Sequence, residues 1–158
     1  MKPETCYIQR GIVALTALSL FVGYYLQYTA SLLPCPLCLM QRWCMMGVLI
    51  VGVLILYRDS KIRRYFQVGF VIAGLFFAVR QVWLQSLPKG MVPACMPGLD
   101  ILMTYFSVGD VLKALLWGGG DCAKITYRLF GLSLAVWSTF YFIGVALSLC
   151  YQVGKKSD

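Results

Sequence analysis

Cys35-Pro36-Leu37-Cys38 is the segment of this 158-residue chain whose residue types most directly imply chemistry. Two thiols three residues apart come within reach of a disulfide when one helical turn forms between them. Pro36 suits the first turn of a helix, where its missing N–H would have had no partner. The free N–H groups of such a helix start favour an anion, so a Cys38 thiolate should be stabilised there. Arg42 follows Cys38 by four residues and Cys35 by seven, which places all three on one helical face. Its guanidinium is either an interfacial anchor or a fixed positive charge beside the thiolate, able to polarise a carbonyl of an electron acceptor. The chain has no His, so Ser-His-Asp and Cys-His catalysis, imidazole-ligated zinc and His proton relays are excluded. What remains is thiol chemistry.

Of five further cysteines, Cys95 and Cys122 bear on that chemistry. Cys95 lies in Pro93-Ala94-Cys95-Met96-Pro97-Gly98, where two prolines bias the backbone toward an extended form. An extended segment can lie in the groove of a thioredoxin-like partner and offer its sulfur to an attacking thiolate. A plain structural disulfide between Cys95 and Cys122 is the alternative. A four-thiolate zinc site from Cys35, Cys38, Cys95 and Cys122 is a third reading, weakened by 26 residues between the last two; no metal is expected. Cys6, Cys44 and Cys150 read as small hydrophobes.

The elements that must carry these thiols are membrane helices. Hydrophobic residues make up 60% of the chain and charged residues 13%, about half the charge usual in soluble domains. Gly11 to Leu33 is free of charge and long enough to cross a hydrocarbon core of about 30 Å. Further spans are expected over about 38–57, 65–87 and 129–153, the second carrying Arg42 and the third Arg80, an expected snorkelling residue or helix-pair anchor. The first stretch is longer than the apolar region of a signal peptide. The expected fold is therefore an all-α bundle of four transmembrane helices, a single integral membrane domain over 1–158.

Lys2, Arg10, Arg58, Lys61, Arg63, Arg64, Lys155 and Lys156 all fall on the side holding both termini, eight of the fourteen basic residues. By the positive-inside rule the termini are cytoplasmic, and the loop over about 88–128 faces outward. This assigns the net charge of +8 to topology rather than to nucleic acid, which needs a basic stripe with interleaved aromatics. It also gathers Cys35, Cys38, Cys95 and Cys122 in one outer compartment, an oxidising one if the membrane is the bacterial inner membrane. In the loop, Asp100, Thr104, Ser107, Asp110 and Lys113 recur at helical offsets opposite Ile101, Leu102, Tyr105 and Leu112, the pattern of a short amphipathic helix lying on lipid. Gly118 to Gly120 are expected to leave Asp121-Cys122 free to swing.

Taken together, these residues resemble the DsbB family of bacterial inner-membrane disulfide-generating proteins. The resemblance rests on Cys35-Pro36-Leu37-Cys38-Leu39-Met40-Gln41-Arg42, on Arg80 and Cys95, on Gly120-Asp121-Cys122-Ala123 and on Phe130-Gly131-Leu132, and it covers nearly the whole chain. It implies an enzyme, a quinone-dependent oxidoreductase that reoxidises a periplasmic thioredoxin-fold oxidant, DsbA, and passes two electrons to ubiquinone or menaquinone. It further implies that Cys95 forms the mixed disulfide with the partner. Cys122 would then attack the Cys35–Cys38 bond at Cys35, leaving Cys38 as the thiolate that meets the quinone beside Arg42. Two departures stand out: some members have a His near the outer end of span three and a Trp where this chain has Tyr127, so the route of protons to the reduced quinone is unassigned.

The implied reaction needs a strong acceptor. The known potential of DsbA is about −120 mV, whereas relaxed structural disulfides lie below about −300 mV, and 30 mV corresponds to about 1.4 kcal/mol. Oxidising such a partner with a relaxed bond would run uphill by roughly 8 kcal/mol.

Overall fold

The computed structural model describes residues 3–29, 35–88, 109, 116, 118, 120–123 and 128–157. Four long helices account for most of them: α1 (Pro3–Thr29), α2 (Pro36–Tyr57), α3 (Lys61–Ser86) and, after the short α4 (Gly120–Ala123) and a two-stranded hairpin, α5 (Leu134–Ser157). Each contains a stretch long and apolar enough to cross a membrane. The chain is thus an all-α, multi-pass membrane protein. Cys95, almost all of the expected loop helix and Tyr127 lie outside the described residues.

Helix α1 begins at Pro3, not at Gly11 where the charge-free run begins. A proline is tolerated in a first helical turn, and Thr5 and Gln9 on the added turns are buried, so packing extends the helix past Arg10. The last span is shifted the other way. Its expected first residues instead form a small antiparallel hairpin, β1 (Arg128–Leu129) paired with β2 (Leu132–Ser133). The turn residues Phe130 and Gly131 both have positive φ, 52° and 84°, the twist that two-residue hairpins require. Trp137 Nε1 donates to Leu129 O (3.1 Å), and Ser133 Oγ donates to Gln85 Oε1 (2.7 Å), so the hairpin is fastened to both α5 and the end of α3.

Around the bundle α1 packs on α2, α2 on α3 and α3 on α5, with a lighter α1–α5 contact closing the ring. The shared core includes Leu37, Cys44, Met45, Val48, Phe77, Ala78, Leu84, Phe142 and Val145. Gly74 permits the α3–α5 approach, because a Cβ there would collide with the Phe142 ring. Thr16 and Tyr141 are buried between α1 and α5 with their hydroxyls 2.7 Å apart. The basic cluster after α2 also has local partners. Arg63 Nη1 donates to Leu54 O (2.8 Å) and Arg58 O (2.6 Å), closing the end of α2. Arg64 pairs with Asp59 (2.8 Å) and donates to Gln152 Oε1 (3.0 Å).

Candidate active site

The antiparallel packing brings the start of α2, the end of α3 and the four-residue α4 (Gly120–Ala123) to one end of the bundle. Cys35 is the N-cap of α2, with extended backbone angles, and Pro36 occupies the first turn, as the sequence leads one to expect. Leu39 N donates to Cys35 O (3.1 Å), closing the turn that sets the two sulfurs side by side. Cys35 Sγ and Cys38 Sγ are 2.6 Å apart.

The third sulfur comes from α4. Cys122 is 1% exposed, and its thiol lies within hydrogen-bonding reach of Cys35 Sγ. Gly118 makes this docking possible. It has φ 71° and is buried so closely on the ends of α2 and α3 that a Cβ would stand 2.7 Å from Leu37 Cδ1 and 3.1 Å from Leu84 Cδ1. In this structure Gly118 lies wedged between two buried leucines, with Cys122 beside Cys35.

Electrostatics follow from this crowding. The Cys122 thiol, the Cys38 sulfur and burial, in that order, push the Cys35 thiol above its ordinary value. The helix-start N–H expected to serve Cys38 is used differently, because Cys38 N donates to Cys35 Sγ (3.3 Å). Cys38 Sγ instead receives the side-chain amide of Gln81 on α3 (3.1 Å), which also lies 3.5 Å from Cys35 Sγ. Gln81 Oε1 in turn accepts from Gln41 Nε2 at 2.7 Å. Sequence reasoning missed this role for Gln81 and read Gln41 only as one residue of a motif. A signal was present: each is an uncharged amide within an apolar span, where a polar side chain needs a partner.

Arg42 is half-buried and turned toward α1. It donates to Gln27 Oε1 and to Gly23 O (3.1 Å for the latter), and its guanidinium stacks 4.8 Å over the Tyr24 ring. Arg80 lies 4.8 Å over the Trp83 ring, in keeping with an anchoring residue. Cys44 is buried in the core cluster, as expected of a small hydrophobe; Cys6 is half-buried and Cys150 exposed. Of the four candidate redox cysteines, three are thus brought together, and Cys95 lies outside the described residues. Neither these three sulfurs nor any other His, Cys, Asp or Glu side chains among the described residues form a group that could hold a metal ion.

Such an arrangement can exchange disulfides: a nucleophile stands beside one sulfur of a pair, and a hydrogen-bond donor stands beside the other. Comparison with known proteins points the same way. The family model for disulfide bond formation protein DsbB matches residues 4–152. A disulfide bond formation protein B of Methylococcus capsulatus is 38% identical over 147 residues, covering 90% of this chain and 88% of its own. Those of Hahella chejuensis (40% over 130 residues, 77% of each chain) and Stutzerimonas stutzeri (34% over 146 residues, 89% of this chain and 90% of its own) are similar. No solved structure matches the chain.

Proposed function

Because the chain belongs to the DsbB family of disulfide bond formation proteins, we propose that it reoxidises a DsbA-like thioredoxin-fold partner outside the bacterial inner membrane and passes two electrons to a membrane quinone. Membership of the family makes it a membrane disulfide-generating oxidoreductase. The observation that carries the proposed electron path is the gathering of Cys35, Cys38 and Cys122 at one end of the bundle.

In the proposed cycle a partner thiolate attacks Cys95 in a Cys95–Cys122 disulfide and releases Cys122. The partner's second thiol then displaces Cys95, so the partner leaves oxidised. Cys122, as a thiolate, attacks Cys35: a Cys35–Cys122 bond forms, the Cys35–Cys38 bond breaks, and its electron pair stays on Cys38. Two protons are released as two thiols of the partner become one disulfide.

A quinone would supply the two-electron sink, with Arg42 and Cys38 as the residues to hold it. The donor chemistry fits. A guanidinium has five N–H groups, and the contacts to Gln27 and Gly23 occupy two, so donors remain for a carbonyl oxygen. Those contacts, with the Tyr24 ring, also fix the orientation of the cation at the rim of the bundle. The basic excess after α2 and at the termini supports cytoplasmic termini and outward-facing cysteines.

The trapping experiment uses the oxidised protein and a reduced DsbA-like partner whose second active-site cysteine is replaced by serine. The partner thiolate attacks Cys95, the Cys95–Cys122 bond breaks as the Cys95–partner bond forms, and with no second partner thiol to displace Cys95 the complex should accumulate on a non-reducing gel; Cys95→Ser should abolish it. Folded protein that forms no such complex would count against the shuttle.

A further inference from the structure

Gln41 and Gln81 are 3% and 5% exposed at the redox end of an otherwise apolar bundle. Buried amides are costly unless their hydrogen bonds are made, and these two make them with each other and with sulfur. The direction of the chain matters. Gln81 Oε1 is occupied as the acceptor for Gln41 Nε2, so Gln81 must present its NH₂, not its carbonyl oxygen, to the cysteines. That donor is nearer to Cys38 Sγ, at 3.1 Å, than to Cys35 Sγ, at 3.5 Å. Cys122 lies beside Cys35, the other sulfur of the pair.

We infer that Gln81 is the hydrogen-bond donor for the departing sulfur in the internal disulfide exchange, with Gln41 positioning its amide. This rests on the order of transfer proposed above. When the Cys122 thiolate attacks Cys35, the Cys35–Cys122 bond forms and the Cys35–Cys38 bond breaks. The negative charge moves from Cys122 Sγ to Cys38 Sγ, and no proton need move in the step. A preorganised N–H aimed where charge develops stabilises that product and the transition state leading to it. Because the donor lies beside Cys38 and the nucleophile beside Cys35, the two together select which sulfur is attacked and which leaves. Gln81 thus touches a reacting atom, whereas Gln41 acts only through Gln81.

The exchange can be tested in the full-length protein in detergent without quinone or partner. In a Cys95→Ser background, oxidised at Cys35–Cys38, the free Cys122 equilibrates between its own thiolate and the Cys35–Cys122 form with Cys38 released. Rapid alkylation and peptide mass mapping give the ratio of labelled Cys38 to labelled Cys122. Gln81→Leu should lower that ratio about tenfold, the size of a hydrogen bond to a charged group. Gln41→Leu, which frees the Gln81 amide to rotate, should lower it by about threefold. A ratio within about twofold of the parent in Gln81→Leu overturns the inference, as does a parent in which Cys38 is never labelled. If Gln81→Leu does not fold, the Gln41→Leu/Gln81→Leu pair removes both amides at similar volume and must show the same tenfold loss. Since nothing here depends on quinone, a failure of quinone reduction with this ratio intact would sink the functional reading alone.

Discussion

Cys35 stands between two other sulfurs, and this decides which thiol of its pair reacts first. The neighbouring Cys122 and Cys38 sulfurs and burial raise its titration, so at neutral pH Cys35 is held as the thiol. In the fully reduced protein at pH 7, iodoacetamide should therefore label Cys38 at least about tenfold faster than Cys35, since each unit of pKa is a tenfold change in thiolate ratio. Mass mapping of a time course checks this; Cys35 labelled first would contradict it. Arg42 permits a second prediction at this scale. Arg42→Ala should raise the KM for quinone by about tenfold, the worth of a charge-assisted hydrogen bond, with a smaller change in kcat. Unchanged quinone kinetics would return Arg42 to the role of an anchor of α1. At this scale the sequence was legible where residue type is distinctive: a Cys pair, a proline at a helix start and an arginine in an apolar span all announce themselves. The amides did not. Which face of α3 carries Gln81 toward α2 depends on the packing of two helices, and a neutral side chain leaves no mark on charge patterning.

Between elements, two glycines set close approaches, Gly74 that of α5 to α3 and Gly118 that of the segment before α4 to the ends of α2 and α3. Gly74 lies against Phe142, so Gly74→Ala should lower the stability of the α3–α5 contact by about 1–3 kcal/mol, the usual cost of overpacking. A lower thermal midpoint in detergent, partly restored by Phe142→Leu, is the expected result. Gly118→Ala adds a side chain at positive φ and presses it on Leu37 and Leu84. Its expected effect is a loosened α4, seen as faster alkylation of Cys122 with the overall fold retained. Hydrophobic run length was enough to find the four spans, because a bilayer demands about 20 apolar residues of each. Their ends were less legible. The buried Thr5 and Gln9 carry α1 toward the N-terminus, and the Phe130-Gly131 turn delays α5 to Leu134, since local packing and turn geometry override a count of apolar residues.

For the whole molecule, the arrangement divides labour between two ends. Arg58, Lys61, Arg63 and Arg64 lie in or beside the turn between α2 and α3, with Arg63 and Arg64 tying it to the ends of α2 and α5, while Cys35, Cys38 and Cys122 gather at the opposite end. An impermeant maleimide applied to intact cells should accordingly label Ser86→Cys above the parent background and leave Ser60→Cys unlabelled; the reverse would invert the proposed topology. The proposed passage of electrons from a partner's dithiol through these sulfurs to a quinone can be followed in one assay: the purified, oxidised protein is given a reduced DsbA-like partner and a soluble benzoquinone, and hydroquinone formation is compared with loss of partner thiols. One hydroquinone is expected for each partner disulfide formed, and none with Cys38→Ser. Turnover by that variant at the parent rate, or no hydroquinone from the parent, would overturn the proposed electron path.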